Sequence, residues 1–143
     1  PIYDSFTGSI FGDLSGERPV GIPEISYSIG ASYRTEFSNG MELALRADYL
    51  YEDEVQLVRG FVGFGADTAG AAAAASNLTR EVKSLNAAIT LYLINGVEVS
   101  IYGRNLTDDE YLTGAADGVA QQGSVFGSPN APRTYGATAR YKF

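Results

Sequence analysis

The 143 residues suffice for one domain, and 17 acidic against 10 basic side chains give a net charge of −7. Cys and His are both absent, which excludes disulfides, thiol nucleophiles, thiolate metal sites and the commonest general base. The acidic balance argues against a nucleic-acid partner, since phosphate binding needs a basic surface, and suits a solvated surface or the capture of cationic or metal-bearing ligands. No apolar run approaches the ~18 residues of a membrane-spanning helix. The longest such block, Ala71 to Ala75, is short and weakly hydrophobic, so a helical membrane protein is excluded. Pro1 in place of Met, with no charged and apolar leader behind it, points to a targeting signal that is missing or already removed.

Taken in chain order, five segments alternate with a period of two. Ile25 to Tyr33 places Ile25, Tyr27, Ile29, Ala31 and Tyr33 on one face against Ser26, Ser28, Gly30 and Ser32. Met41 to Tyr51 sets Met41, Leu43, Leu45, Ala47, Tyr49 and Tyr51 against Glu42, Ala44, Arg46, Asp48 and Leu50. Leu85 to Leu93, Val97 to Gly103 and Tyr135 to Phe143 repeat the pattern. Successive strand side chains point to opposite faces, so each segment makes one apolar and one polar surface. The predicted fold class is all-β and antiparallel. Tyr3 to Phe11 offers a sixth strand, but Asp4, Gly8 and Gly12 make it read as loop.

The connections sort by length. Ser38-Asn39-Gly40 and Asn95-Gly96 predict tight hairpin turns in which both Asn and Gly tolerate positive φ. Roughly Glu52 to Lys83 and roughly Asn105 to Thr134 predict long loops. Short and long connections thus alternate, as in an up-and-down transmembrane barrel with short periplasmic turns and long outer loops. With the turns periplasmic, Tyr33, Tyr141 and Phe143 fall near the inner rim, and Tyr27, Tyr49, Tyr51 and Tyr135 near the outer rim. Tyr suits a lipid interface, where its ring is half apolar and its hydroxyl stays wet. Arg46, Asp48, Glu98, Arg104 and Arg140 then face the lumen. A soluble sandwich also alternates but leaves the loop sorting and the belts without a cause. Five strands cannot close a barrel, so they must pair with further strands or with other chains.

Two motifs close the chain: Asn105-Leu106-Thr107-Asp108-Asp109-Glu110-Tyr111, and Pro132-Arg133-Thr134-Tyr135-Gly136 before a strand ending on Phe143. Asn105 and Asp108 suit a defined turn through bonds to nearby backbone, Tyr111 can pack back onto the rim, and Pro132 stops strand pairing. Together the motifs resemble the end of TonB-dependent receptors, where N-L-x-D-x-x-Y follows the penultimate strand and P-R-x-Y/F-G opens the last. Gly21-Ile22-Pro23-Glu24 resembles that family's approach to an earlier strand. The family motif residues here are Asn105, Leu106, Asp108, Tyr111, Pro132, Arg133, Tyr135, Gly136 and Phe143. Tyr27, Tyr33, Tyr49, Tyr51, Tyr135, Tyr141 and Phe143 are the expected lipid-interface aromatics.

The resemblance implies a bacterial outer-membrane transporter of twenty-two strands around a plug. It imports a scarce nutrient such as a ferric siderophore, a cobalamin-like compound or a glycan. On that basis residues 1–24 are an extracellular loop, residues 25–143 are the last five strands with two long extracellular loops, and the plug is absent. The implied partners are outer-membrane lipid, the remaining strands and plug, TonB through a missing N-terminal part, and the barrel-assembly machinery through Phe143. No enzyme activity, cofactor or metal is expected. Glu52-Asp53-Glu54 and Asp108-Asp109-Glu110 read as solvated surface. Residues 52–80 are expected to touch ligand, with Gly60 to Ser76 as a short helix or a lid. The alternative is a self-associating β assembly, because open strand edges template pairing.

Overall fold

The computed structural model describes residues 2–3, 10–11, 18–58, 77–117 and 125–143. Strands alone make up its regular structure: β1 (Ile2–Tyr3), β2 (Ile10–Phe11), β3 (Ser26–Glu36), β4 (Glu42–Gln56), β5 (Thr79–Tyr92), β6 (Val97–Arg104), β7 (Leu112–Asp117), β8 (Val125–Pro129) and β9 (Thr134–Tyr141). β3, β4, β5, β6 and β9 form one antiparallel sheet in that order, each pairing with the next along the chain. β1 pairs with β2, and β7 with β8, as separate two-stranded sheets. Of the Tyr3 to Phe11 region, the described residues pair with each other and add no strand to the main sheet. The all-β, antiparallel, sequential architecture agrees with the sequence. Among the described residues β3 and β9 pair on one side only.

The differences lie at strand ends. β4 runs on to Gln56 and β5 begins at Thr79, where a loop is expected from Glu52 to Lys83. A register shift between Glu52 and Val55 sets two β4 residues, Asp53 and Glu54, against Glu81 alone. This is a bulge, which lets the strand continue through an acidic run by releasing one residue from the ladder. Beyond it Val55 and Val82 are buried, and Arg80 reaches Glu52 at 2.7 Å. Burial of the valines and this ion pair offset the weak strand preference of the acidic residues. Gly60 to Ser76, with its expected helix or lid, lies outside the described residues. The other long connection, expected to be loop, contains the β7–β8 hairpin.

Both short turns share one construction, in which Asn does not take the positive φ that it tolerates. Gly40 N–H donates to Phe37 O at 2.9 Å, and Phe37 N–H donates to Met41 O at 2.8 Å. Gly96 N–H donates to Leu93 O at 3.2 Å, and Leu93 N–H to Val97 O at 2.8 Å. Only the glycines take positive φ, 82° at Gly40 and 80° at Gly96. Each is thus a three-residue loop, a type I turn followed by a left-handed glycine bulge. The asparagines act through their side chains instead: Asn39 Oδ1 accepts from Met41 N–H at 3.1 Å, and Asn95 Oδ1 from Val97 N–H at 3.3 Å. Both turns lie at the same end of the sheet; the opposite end carries the long connections.

Candidate functional site

Register and strand alternation sort the five strands into two unlike faces. One unbroken row runs Tyr33, Leu45, Ile89, Ile101, Ala137, and its neighbour runs Ala31, Ala47, Ala87, Gly103, Tyr135. The next row toward the turns is Thr35, Leu43, Leu91, Val99, Ala139. No charge interrupts these rows; Lys83, opposite Tyr51, stands at the loop-end rim. In the middle of this face Ile29, Ile89 and Ile101 are 63%, 54% and 62% exposed. Soluble monomers rarely expose contiguous apolar patches beyond a few hundred Å². The buried apolar side chains among the described residues, Val55, Val58 and Val82, include none from the centre of this face.

The opposite face is polar and internally bonded. Arg34 pairs with Glu42 and lies 5.1 Å over the Tyr92 ring. Asn86 Nδ2 donates to Asp48 Oδ2 at 2.8 Å, Thr90 and Ser100 share a hydroxyl bond of 2.7 Å, and Arg104 lies 5.7 Å over Tyr102. Arg46–Asp48 and Arg140–Glu98 approach at 3.9 Å. The charged residues expected on one surface, Arg46, Asp48, Glu98, Arg104 and Arg140, do share it.

The tyrosines bracket the apolar face. Tyr27 stacks on Tyr51 with centroids 5.1 Å apart, and Tyr49 lies 6.4 Å from Tyr27. Tyr135 stands in the Ala31 row, four residues nearer the turns than Tyr27. At the turn end, Tyr33 shares a row with Ala137, and Tyr141 stands four residues beyond it. Tyr141 packs edge-on against Phe143 at 5.1 Å. Each belt therefore slips four residues over the four strand spacings from β3 to β9. That slip is about 14 Å along the strands over about 19 Å across them, an inclination of about 35° to the hydrogen-bond rows.

At the loop end the two motifs form one polar clasp. After β6 the chain turns through Asn105 and Asp108, both at positive φ (50° and 57°), a conformation that Asn and Asp tolerate best after Gly. Asn105 is buried, at 6% exposure. Its Nδ2 donates to Asp109 O at 2.9 Å and Ala131 O at 3.3 Å. Its Oδ1 accepts from Asp109 N–H at 3.0 Å and Thr107 Oγ1 at 3.2 Å. Its N–H donates to Asn86 Oδ1 at 3.0 Å, which ties the clasp to Asp48 on the polar face. Asn130 takes the complementary place: Oδ1 accepts from Tyr111 N–H at 3.0 Å, and Nδ2 donates to Asp109 O at 2.8 Å. The sequence reading missed Asn86 and Asn130, whose roles depend on partners 19 to 38 residues away.

Asp108 holds its expected place in the turn, where its N–H donates to Asn105 O at 2.9 Å, and it also reaches beyond that turn. Its carboxylate meets the Arg133 guanidinium at 2.9 Å and so joins the first motif to the second. Leu106 lies over Gly103: a Cβ there would stand 2.5 Å from Leu106 Cδ2. Gly136 faces its register partner Tyr102, whose ring fills the space a side chain would need, with Cε1 2.8 Å from a Cβ built there. Pro132 precedes β9 without joining it, as expected. Tyr111 and Pro132 line a cleft beside the clasp. The acidic runs are more engaged than solvated surface: Asp109 Oδ2 accepts from Lys83 N–H at 2.5 Å, and Asp53 lies 3.9 Å from Arg18.

No group of three or more acidic side chains that could hold a metal ion occurs among the described residues. No known protein family, curated protein or solved structure matches the chain. The resemblance to TonB-dependent receptors therefore rests on the two C-terminal motifs and on Gly21-Ile22-Pro23-Glu24.

Proposed function

We propose that this chain is a five-stranded segment of an outer-membrane barrel of the TonB-dependent receptor kind, its apolar face against lipid and its polar face toward the lumen. The parent would import a scarce nutrient, such as a ferric siderophore, a cobalamin-like compound or a glycan. The carrying observation is the exposed aliphatic face bracketed by two parallel tyrosine belts, backed by an ion-paired polar face. Transmembrane strands tilt by ~35–45°, so belts lying in the two membrane interfaces should cross the hydrogen-bond rows at that angle. The belts here do so at about 35°. Along β4 and the residue before it, the odd positions from Met41 to Tyr51 carry Met, Leu, Ala and Tyr and no charge. They cover about 34 Å of strand, or about 28 Å once inclined, near the thickness of a hydrocarbon core. Transport rests on the motif resemblance, since a barrel wall alone does not specify cargo. In that setting the partners are further barrel strands, a plug, TonB and the barrel-assembly machinery.

The unpaired edges favour a second reading, a self-associating β assembly. Strand direction weighs against its simplest form. β3 and β9 are the first and fifth strands of an antiparallel series, so they run the same way. Copies placed edge to edge in one orientation would meet in a parallel seam. An odd number of additional strands closes the sheet with antiparallel pairs throughout.

These 143 residues hold no Cys, so each position scanned within them can carry a single introduced cysteine. With an environment-sensitive fluorophore on the full-length polypeptide in vesicles, spin-labelled lipid should quench sites at Ile29, Ile89 and Ile101. Sites at Ser28, Thr90 and Ser100 should stay unquenched. Equal quenching on the two faces sinks the barrel-wall reading, and protection on both faces in lipid-free fibres supports self-assembly.

A further inference from the structure

At the loop end, among the described residues, a cleft of about 550 Å³ opens between the start of β5, the chain leaving the clasp and the end of β8. That volume lies within the ~300–1,000 Å³ of small-molecule sites. Tyr111, Leu112, Pro129 and Pro132 give it apolar walls, and Thr79 and Glu110 add polar groups at its margin. Asn130 also lines it, but its amide is engaged in the clasp at Tyr111 N–H and Asp109 O. Glu110 is exposed beside the cleft, and Tyr111 and Thr79 are half-buried.

We propose that this cleft binds a ring-bearing organic cation. Both prolines have fixed φ and the clasp ties the chain between them through Asn130, which limits the backbone ordering that a bound ring would require. Glu110 is the charged group in the lining, so selection by charge falls to it. An ammonium held between a carboxylate and an aromatic ring gains an ion pair and, where it meets the ring face, a cation–π contact. An anion would meet Glu110 and a chain of net charge −7. The site follows from the clasp and the β7–β8 hairpin, and it stands whether or not the sheet lies in a membrane.

The test is a ligand-observed NMR titration of the full-length polypeptide with phenethylammonium and with phenylacetate, which share a ring and differ in charge. Saturable binding of the cation alone is expected. Glu110→Gln should weaken it roughly fivefold, the scale of one exposed ion pair, without altering the fold. Leu112→Trp, which fills the cleft, should abolish it. Equal binding of both probes, no saturable binding of the cation, or unchanged affinity in Glu110→Gln would each overturn the proposal.

Discussion

At one end of the sheet two hairpins close with the same three-residue loop, Ser38-Asn39-Gly40 and Ile94-Asn95-Gly96, using bonds made almost wholly within five residues. At the other end Asn105, Asn130 and Arg133 bind partners up to 26 residues away, and the turn rests on a buried amide. The turn end is local and repeated, and its bonds lie in exposed surroundings. The loop end is non-local and singular, and its bonds are partly buried. Local turns order a chain cheaply in entropy. A clasp between distant segments sets where the long connection leaves the sheet, and the cleft beside it inherits that geometry.

The largest expected effect tests the clasp at its centre. Asn105→Ala removes four side-chain hydrogen bonds at a buried position and puts a β-carbon residue without a compensating amide at positive φ. Unsatisfied buried partners cost about 1–3 kcal/mol, and the left-handed backbone about 1 more. The loss in urea stability of the full-length polypeptide should therefore be about 2–4 kcal/mol. Asn105→Gly should recover about 1 kcal/mol of it, because glycine restores the backbone freedom without the bonds. Equal losses in the two variants would mean that the backbone conformation contributes nothing.

The same contrast explains what the sequence discloses. Alternation in Tyr27 to Tyr33 or Met41 to Tyr51 is a period-two signal that needs only neighbours, and the strands are where it points. The Asn-Gly turns were legible as positions, but not as a type, since the choice between two-residue and three-residue loops depends on how Phe37 and Met41 pair. Val55 hides β4's continuation because it follows three acidic residues, and its burial is a tertiary fact. β7 and β8 hide because Leu112-Thr113-Gly114-Ala115 and Gly127-Ser128-Pro129 have little strand preference of their own. Asp108 and Arg133 were each visible as motif residues, yet nothing in spacing joins them. The Tyr102–Gly136 contact becomes readable only once the register is known.

A middle-sized effect separates the two hairpins, which look interchangeable. Gly40 and Gly96 have nearly the same φ, but a Cβ at Gly40 would lie 3.9 Å from Ile94 Cγ1, in ordinary contact. A Cβ at Gly96 would lie 2.9 Å from Lys142 O, because Lys142 N–H donates to Gly96 O at 3.0 Å and holds the last residues against the turn. Gly40→Ala should therefore cost about 1 kcal/mol from backbone strain alone, and Gly96→Ala about 2–3 kcal/mol. Deleting Lys142 and Phe143 in the Gly96→Ala background should bring the two costs together. A persistent gap would place the crowding elsewhere.

The smallest effect concerns the link between the motifs. Asp108 and Arg133 are both partly exposed, so their 2.9 Å contact is screened and their coupling should be about 0.5 kcal/mol. Asp108→Asn keeps a residue that accepts positive φ and removes only the charge, and Arg133→Gln removes the other partner. In a double-mutant cycle on urea stability, the two changes should fall short of additivity by that amount, and the shortfall should shrink in 1 M salt. Additive losses would assign Arg133 to packing over the rim and leave the clasp to Asn105 and Asn130. A coupling well above 1 kcal/mol would mean that the pair is shielded from solvent in the folded protein.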